Sequence, residues 1–332
     1  MSLRSTLLLA LVAGSLVAWA FRLPPVMDPP PPSESWRSAS VDTGVSGFGR
    51  STLADVAITP EGRGIAPGTE RRLWRTADGG HSWITEPLPF SAQAAVAVRV
   101  AEDGTELMVL GNGRIVRRAE GGGAWTLVRP PGARLVRLAW ADARTVLSIG
   151  DPILRSTDTG ATWSEVKAPE FDYWNAAFSR RGTGILIGGD GAVLRSTDDG
   201  ASWMVMPPIS REMLRGVAYA DSQLVIVVGS NGTILRSVDD GEHWSTIASG
   251  TTNLLIDVAM ADARQGIAVG FEGTILRTLD GGLTWRSEPS GTRNHLMGVA
   301  IGADRVPVAV GFFDTILRGR PFALPSAAEV RE

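Results

Sequence analysis

Two tyrosines and four carboxylates make the strongest formal claim on chemistry in this 332-residue chain. Tyr173 lies in the aromatic run Phe171-Asp172-Tyr173-Trp174, and Tyr219 sits in an apolar stretch. Asp172, Glu212, Glu272 and Asp314 fall on separate segments. A tyrosine with an acidic partner, or two carboxyl groups facing one sugar, is the machinery of glycoside cleavage. No spacing brings any two of these carboxylates together, and Tyr219 reads as a packing residue. The three histidines, His81, His243 and His295, are too scattered to frame a metal centre. With no cysteine, disulfides, thiolate zinc sites and a cysteine nucleophile are excluded. The sequence therefore assigns no catalytic residue, no cofactor and no metal.

A second set of carboxylates recurs. Thr76/Asp78/Gly80/Trp83, Ser156/Asp158/Gly160/Trp163, Ser196/Asp198/Gly200/Trp203, Ser237/Asp239/Gly241/Trp244 and Thr278/Asp280/Gly282/Trp285 share one spacing. A related stretch at Glu120, Gly122 and Trp125 has lost both the hydroxyl and the aspartate. An aspartate can accept backbone N–H groups across a tight turn. The glycine takes dihedrals closed to other residues. The tryptophan buries a large face between sheets while its indole N–H seeks an acceptor. One role repeated at five places cannot define a single reaction centre, so these residues read as structural. Calcium binding would need several carboxylates converging on one loop.

Each of these turns follows a strand of the form Ile-Leu-Arg. The arginines at 75, 117, 155, 195, 236, 277 and 318 are spaced by 42, 38, 40, 41, 41 and 41 residues. A period near forty marks a repeat architecture. Within one period, 255–261, 266–270 and 274–278 are short apolar strands divided by turn residues, and a fourth strand surrounds Trp285. The expectation is an all-β, seven-bladed β-propeller of four-stranded antiparallel blades. The last copy stops after Ile316-Leu317-Arg318, whereas Trp36 stands alone near the N-terminus. Trp36 is expected to supply the missing outer strand and close the ring, which limits exposed edges. The repeated arginines read either as bridges to the neighbouring blade or as a circular cationic patch for a partner.

The repeats Gly229-Ser230-Asn231-Gly232-Thr233-Ile234-Leu235-Arg236 and Gly270-Phe271-Glu272-Gly273-Thr274-Ile275-Leu276-Arg277 resemble those of the photosystem II assembly and stability factor family. Their turns are similar to the neuraminidase-type Asp-box, also called the BNR repeat. The resemblance covers about 36–320 and implies a non-enzymatic chaperone or assembly role outside the cytoplasm. That family includes a lumenal or periplasmic factor and exported bacterial relatives, some of them resembling accessory proteins of envelope export systems. The degenerate turn at Glu120 and the short Gly150-Asp151-Pro152 turn depart from the pattern. The scaffold is carried over, and a photosynthetic partner is not. The alternative implied by Asp-box propellers is a glycoside hydrolase of sialidase or endoglucanase type, or a glycan-binding module.

The formal net charge of -3 gives no nucleic-acid footprint. Arg4 precedes an uncharged, mostly apolar run through Phe21, with Ala18-Trp19-Ala20 as a small-x-small cleavage site. Residues 1–21 are expected to be a signal peptide or an N-terminal membrane anchor through 6–21. Residues 22–34 form a Pro-rich linker, 35–320 the propeller and 321–332 a tail. Either N-terminal reading places the propeller in a bacterial periplasm, free after cleavage or held at the inner membrane. The expected partner is an envelope or inner-membrane protein complex.

The turns with repeated aspartates should all lie on one face of the ring. The opposite face is built from the fourth-to-first connections and the second-to-third turns, where the copies differ most. Unlike loops on a repeated scaffold are often its binding surface. The candidates there are Phe171, Asp172, Tyr173, Trp174, Arg211, Glu212, Phe271, Glu272, Arg293, Asn294, His295, Phe312, Phe313 and Asp314.

Overall fold

The computed structural model describes residues 35–42, 51–88, 94–129 and 134–324, with the backbone alone for 40–42. The expected leader, most of the Pro-rich linker and residues 325–332 lie outside the described residues. Seven antiparallel sheets form a closed seven-bladed propeller. Blade 1 is Ala57–Ile58, Gly64–Pro67, Arg72–Thr76 and Ser82–Pro87; blade 2 is Ala95–Val100, Glu106–Leu110, Ile115–Arg118 and Thr126–Arg129. Blade 3 is Arg134–Trp140, Val146–Asp151, Ile153–Ser156 and Ser164–Val166; blade 4 is Tyr173–Phe178, Gly184–Gly188, Val193–Ser196 and Met204–Val205. Blade 5 is Leu214–Tyr219, Val225–Gly229, Ile234–Ser237 and Ser245–Ile247; blade 6 is Leu255–Met260, Gly266–Gly270, Ile275–Thr278 and Arg286–Ser287. Blade 7 has three strands of its own, Leu296–Ile301, Pro307–Gly311 and Ile316–Gly319.

The N-terminal strand Trp36–Ser38 completes blade 7, pairing antiparallel with Ile316–Gly319 so that Trp36 faces Gly319. Its indole is 2% exposed, and Nε1 donates to Glu288 Oε2 of blade 6 at 2.7 Å. The chain then gives a second strand, Ser40–Asp42, that runs parallel to Ser82–Pro87 on the outer edge of blade 1. One short segment thus stitches both sides of the seam. At the other terminus, packing extends past residue 320. Phe322 is buried among Trp36, Val269 and Leu317, with the Arg277 guanidinium 4.3 Å above its ring.

The second strands of blades 5 and 6 are apolar throughout because both of their faces are covered. Each hydrophobic cluster joins two neighbouring blades. Ile226, Val228 and Ile234 of blade 5 meet Val258, Ala268 and Leu276 of blade 6, and Val308 and Val310 of blade 7 meet Trp74 and Trp83 of blade 1. The core is therefore a set of inter-blade layers, not one central mass. Gly270 and Gly273 account for the Gly-x-x-Gly spacing. A Cβ on Gly270 would lie 2.1 Å from Leu254 O, and Gly273 turns at φ +65 beside Thr292 O.

The repeated arginines bind the ring together. Arg117, Arg155, Arg195, Arg236 and Arg318 each donate Nε to a carbonyl in the turn of the next blade: Thr159 at 3.0 Å, Asp199 at 2.9 Å, Asp240 at 2.8 Å, Gly281 at 2.7 Å and Gly79 at 3.2 Å. The two remaining arginines precede blades that lack the turn. Arg75 pairs with Glu86 and Glu106 instead, and Arg277 with Glu288.

Trp36→Ala is expected to destabilise the propeller by about 3–5 kcal/mol, read from urea unfolding. A loss under about 1 kcal/mol would mean that the closing strand is held by its backbone pairing alone. Arg236→Met should cost about 1.5–3 kcal/mol, the range for a hydrogen bond from a charged group.

Candidate binding face

The two faces of the ring differ in how far their polar groups are already satisfied. On the face of the repeated turns, the aspartates are occupied. Thr76 Oγ1 donates to Asp78 Oδ1 at 2.8 Å, Ser82 N to the same oxygen at 2.9 Å, and Ser82 Oγ to Oδ2 at 2.5 Å. Gly80 N donates to Thr76 Oγ1, so the hydroxyl and carboxylate together close the turn. The same bonds recur around Asp158, Asp198 and Asp280, and around Asp239 with His243 Nδ1 in place of the hydroxyl at Oδ2. Burial works to raise these carboxyls, but the hydroxyl and backbone donors outweigh it at Asp78 and Asp158, and the backbone and imidazole of His243 with the Ser237 hydroxyl outweigh it at Asp239, holding all three at about 2.

The glycines of all five turns take the expected positive φ and also meet a side chain of the preceding blade, whereas the tryptophan departs from expectation in two turns. Gly200 N donates to Ser196 Oγ and Gly282 N to Thr278 Oγ1, each at 2.9 Å, and both glycines take the expected positive φ. Dihedral freedom is only half of their role, however. A Cβ on Gly200 would stand 2.6 Å from Leu147 of blade 3, and one on Gly282 would stand 2.5 Å from Ile226 of blade 5. These glycines are therefore also required by the close approach of the preceding blade. Trp83, Trp163 and Trp244 donate Nε1 to the carbonyls of Gly80, Gly160 and Gly241 as expected. Trp203 and Trp285 do not, since their Nε1 atoms are buried without an acceptor. Packing holds those two rings instead. Trp203 is half-buried and meets the Phe178 ring edge-on at 5.9 Å, and Trp285 is buried with Ile226 and Val258 between blades 5 and 6.

On the loop face the candidates fall into three groups. Phe171 at 42% and Phe313 at 40% are displayed to solvent, as are Asp172, Arg211, Glu272 and Arg293. A second group props the loops from beneath. His295 stacks on Phe271 at 3.9 Å, its ring tilted against Phe312 at 5.2 Å, and its Nδ1 accepts from Glu272 N. Burial, opposed by Glu272, lowers the pKa of His295, keeping it the neutral acceptor that this bond needs. Asn294 Nδ2 donates to Thr315 Oγ1, and Asp314 N to Ser51 O. Glu212 accepts from Ser230 and Asn231, and those bonds lower its carboxyl.

Tyr173 at 7% and Trp174 at 6% form the third group and are buried, because they open the inner strand of blade 4. Tyr173 OH donates to Pro169 O, and burial pushes its phenol up to about 12. Tyr219 OH donates to Asp240 Oδ1 at 2.8 Å, and burial raises its pKa also. Both phenols are thus held protonated, the reverse of what a tyrosine nucleophile requires. Of the four carboxylates, Asp172 pairs with Arg134 and Glu212 with its own blade, while Glu272 stands 3.9 Å from His295. Among the described residues no group of three or more acidic, histidine or cysteine side chains could hold a metal ion.

Sequence reasoning missed what lies at the axis. The inner strands of blades 2–7 each carry a bulge that inserts one extra residue, namely Val96, Val136, Trp174, Arg215, Ile256 and Met297. A bulge re-aims a side chain, and five of these line the axial mouth on the loop face. Just below them Asp55 accepts from Arg99 at 2.7 Å and Arg137 at 2.9 Å, and from Val98 N of blade 2. Asp257 accepts from Val299 N of blade 7. Burial opposes charge on Arg137, but Asp55 and Asp257 outweigh it and raise its pKa. Burial, reinforced by Asp55, raises the carboxyl of Asp257 despite Arg137. The available signal was charged residues inside strands that are otherwise apolar.

The molecule is a seven-bladed β-propeller with a turn face whose repeated carboxylates are bonded internally and a varied loop face. Among solved propellers it is similar to YCF48 from Cyanidioschyzon merolae, with a TM-score of 0.67 and 16% identity over 86% of this chain and 98% of that one. It is also similar to YCF48 bound to D1 peptide, with a TM-score of 0.71 and 17% identity over 89% and 99%. An inactive virginiamycin B lyase from Staphylococcus aureus, in complex with quinupristin, gives a TM-score of 0.72 and 12% identity over 85% and 98%. At these identities the likeness is one of fold. No family model matches the chain, and no curated protein matches it in sequence.

The turn carboxylates confer a definite acid response. With folded pKa values near 2 against an ordinary 3.8, their contribution is complete above that ordinary value and is lost as pH falls through about 2. The urea midpoint should drop between about pH 4 and pH 2, and Asp158→Asn should flatten that slope. An unchanged slope in the variant would show that other carboxylates set it.

Proposed function

We propose that this protein is a non-enzymatic binding scaffold of the cell envelope, an exported member of the photosystem II assembly factor-like group with Asp-box turns. Its partner is a protein complex of the envelope or inner membrane, and its role is assembly or accessory. The observation that carries this reading is the contrast between the faces. The turn face spends its carboxylates and hydroxyls internally, whereas the loop face displays Phe171, Phe313, Arg211 and Arg293 on a propped, rigid base. Aromatic side chains and arginine are the favoured anchors of protein interfaces.

Further support comes from the leader-like segment 1–21 and the proline-rich stretch before Trp36, which would hold the propeller a short distance from a membrane. One similar propeller is known with a peptide bound. The glycoside hydrolase alternative is disfavoured by the two protonated, internally bonded phenols.

The test is affinity capture from detergent-solubilised membranes with the full chain and with Phe171→Ser/Arg293→Glu/Phe313→Asn. Asn is chosen at 313 because φ is +57 there. Recovery of the partner should fall about tenfold or more, with each substitution changing folding stability by about 0.5 kcal/mol or less. Undiminished recovery would remove the loop face from the interaction.

A further inference from the structure

The axial mouth contains an arginine whose charge Asp257 favours but whose Nη1 meets no hydrogen-bond acceptor. Arg99 and Arg137 both bond Asp55, and Arg137 also reaches the carbonyls of Ala54 and Met297. Arg134, at the rim, is paired with Asp172 at 3.0 Å. Arg215 differs from all three. Its guanidinium lies over Trp174, 4.1 Å from the ring centroid, and its Nη1 is buried without a hydrogen-bond partner. A charged donor shut from water and left unpaired is costly. The contact with the indole makes this a held geometry and not a loose side chain. Burial and then the neighbouring Arg137 lower its pKa to about 9, against the opposing pull of Asp257.

The guanidinium opens on a cavity of about 70 Å³ whose other walls include Val96, Val136, Met297 and Phe312. About 10–15 Å³ suffices for one water, so the space admits several waters or one small organic molecule. A planar carboxylate matches the fork of an arginine. Arg215, in a wall that is mostly apolar apart from Thr52, Thr69 and the paired Arg137, suits a singly charged anion, since a doubly charged, strongly hydrated one would lose more solvation than it recovers. A glycan would find too few polar partners there.

We infer that the axial mouth is a binding site for a small aliphatic monocarboxylate, its carboxyl on Arg215 and its short alkyl stem against Val96, Val136 and Met297. This site is separate from the displayed residues assigned above to partner binding and does not rest on that reading. Trp174 holds the guanidinium in place, Arg137 and Asp55 fix the floor, and Phe312 closes one side.

Butyrate, with butyramide as its neutral counterpart, tests the assignment on the full chain. Titration followed by calorimetry and by the indole N–H resonance of Trp174 should give saturable binding of butyrate and none of butyramide. Arg215→Met should weaken it about tenfold or more. If that variant fails to fold, Arg215→Lys keeps the charge and loses the fork, and should bind measurably more weakly than the native chain. Equal binding of butyrate and butyramide, no movement of the Trp174 resonance, or native affinity in a folded Arg215 variant would overturn the inference. Partner capture is read in a separate assay, so a failure here leaves the scaffold reading intact.

Discussion

The ring depends on one interaction made repeatedly across its gaps, an arginine Nε donating to a carbonyl in the turn of the next blade. That carbonyl faces the arginine because the turn behind it is locked by an aspartate, a hydroxyl and a glycine. The two motifs are thus halves of a single joint, one half on each blade. A hydrogen bond from a charged donor to a fixed carbonyl tolerates little displacement, so the joint sets how far each blade rotates from its neighbour. The exceptions follow the same logic. Where blade 2 has lost the aspartate, Arg75 turns to Glu86 and Glu106, and where blade 7 has no such turn, Arg277 takes Glu288. Glu106 is the substitute acceptor that reaches Arg75 from blade 2, while Arg277 adds to Glu288 the carbonyl of Arg320 at 3.3 Å, beyond the last strand of blade 7.

Much of this was legible beforehand because it is periodic. Seven Ile-Leu-Arg-like strands near a forty-residue period gave the blade count, and a lone Trp36 opposite an unfinished last copy gave the closure. The motif did not reveal that Trp203 and Trp285 leave their indole N–H groups unbonded, because five identical spacings hide differences in the neighbours each ring meets. Ser40–Asp42 was not legible, since it occurs once and its parallel pairing has no local signature. Phe322 was likewise hidden, because a single aromatic in a tail shows its pocket only when blades 6 and 7 are assembled around it. The axial charges were obscured by register. Arg137, Asn175 and Asp257 share a place in the inner strand, but the bulges shift the frame by one residue, and no pairwise spacing brings Asp55 within reach of Arg137.

The loop face was found by difference rather than by motif, and the structure divides it further. Phe171 and Phe313 are displayed, Phe271 and His295 prop the loops, and Tyr173 and Trp174 belong to the core. Sequence variability alone does not separate those roles, because a residue that supports a unique loop varies along with the loop it supports. Propellers with unrelated tasks share this architecture at low identity, as the likeness to both YCF48 and a lyase illustrates. Function must therefore be argued from sites.

The strand that finishes blade 7 comes from the opposite end of the chain, with Trp36 against Gly319. During synthesis, with the N-terminus leading, Trp36–Ser38 must wait for Ile316–Gly319 before it can pair. Six blades can collapse in order as they emerge, each on the one before it, while the seventh stays an open edge. Completion is consequently a single late event that involves nearly the whole polypeptide. A chain interrupted anywhere before Ile316 lacks the partner of its own closing strand and has no means of sealing itself.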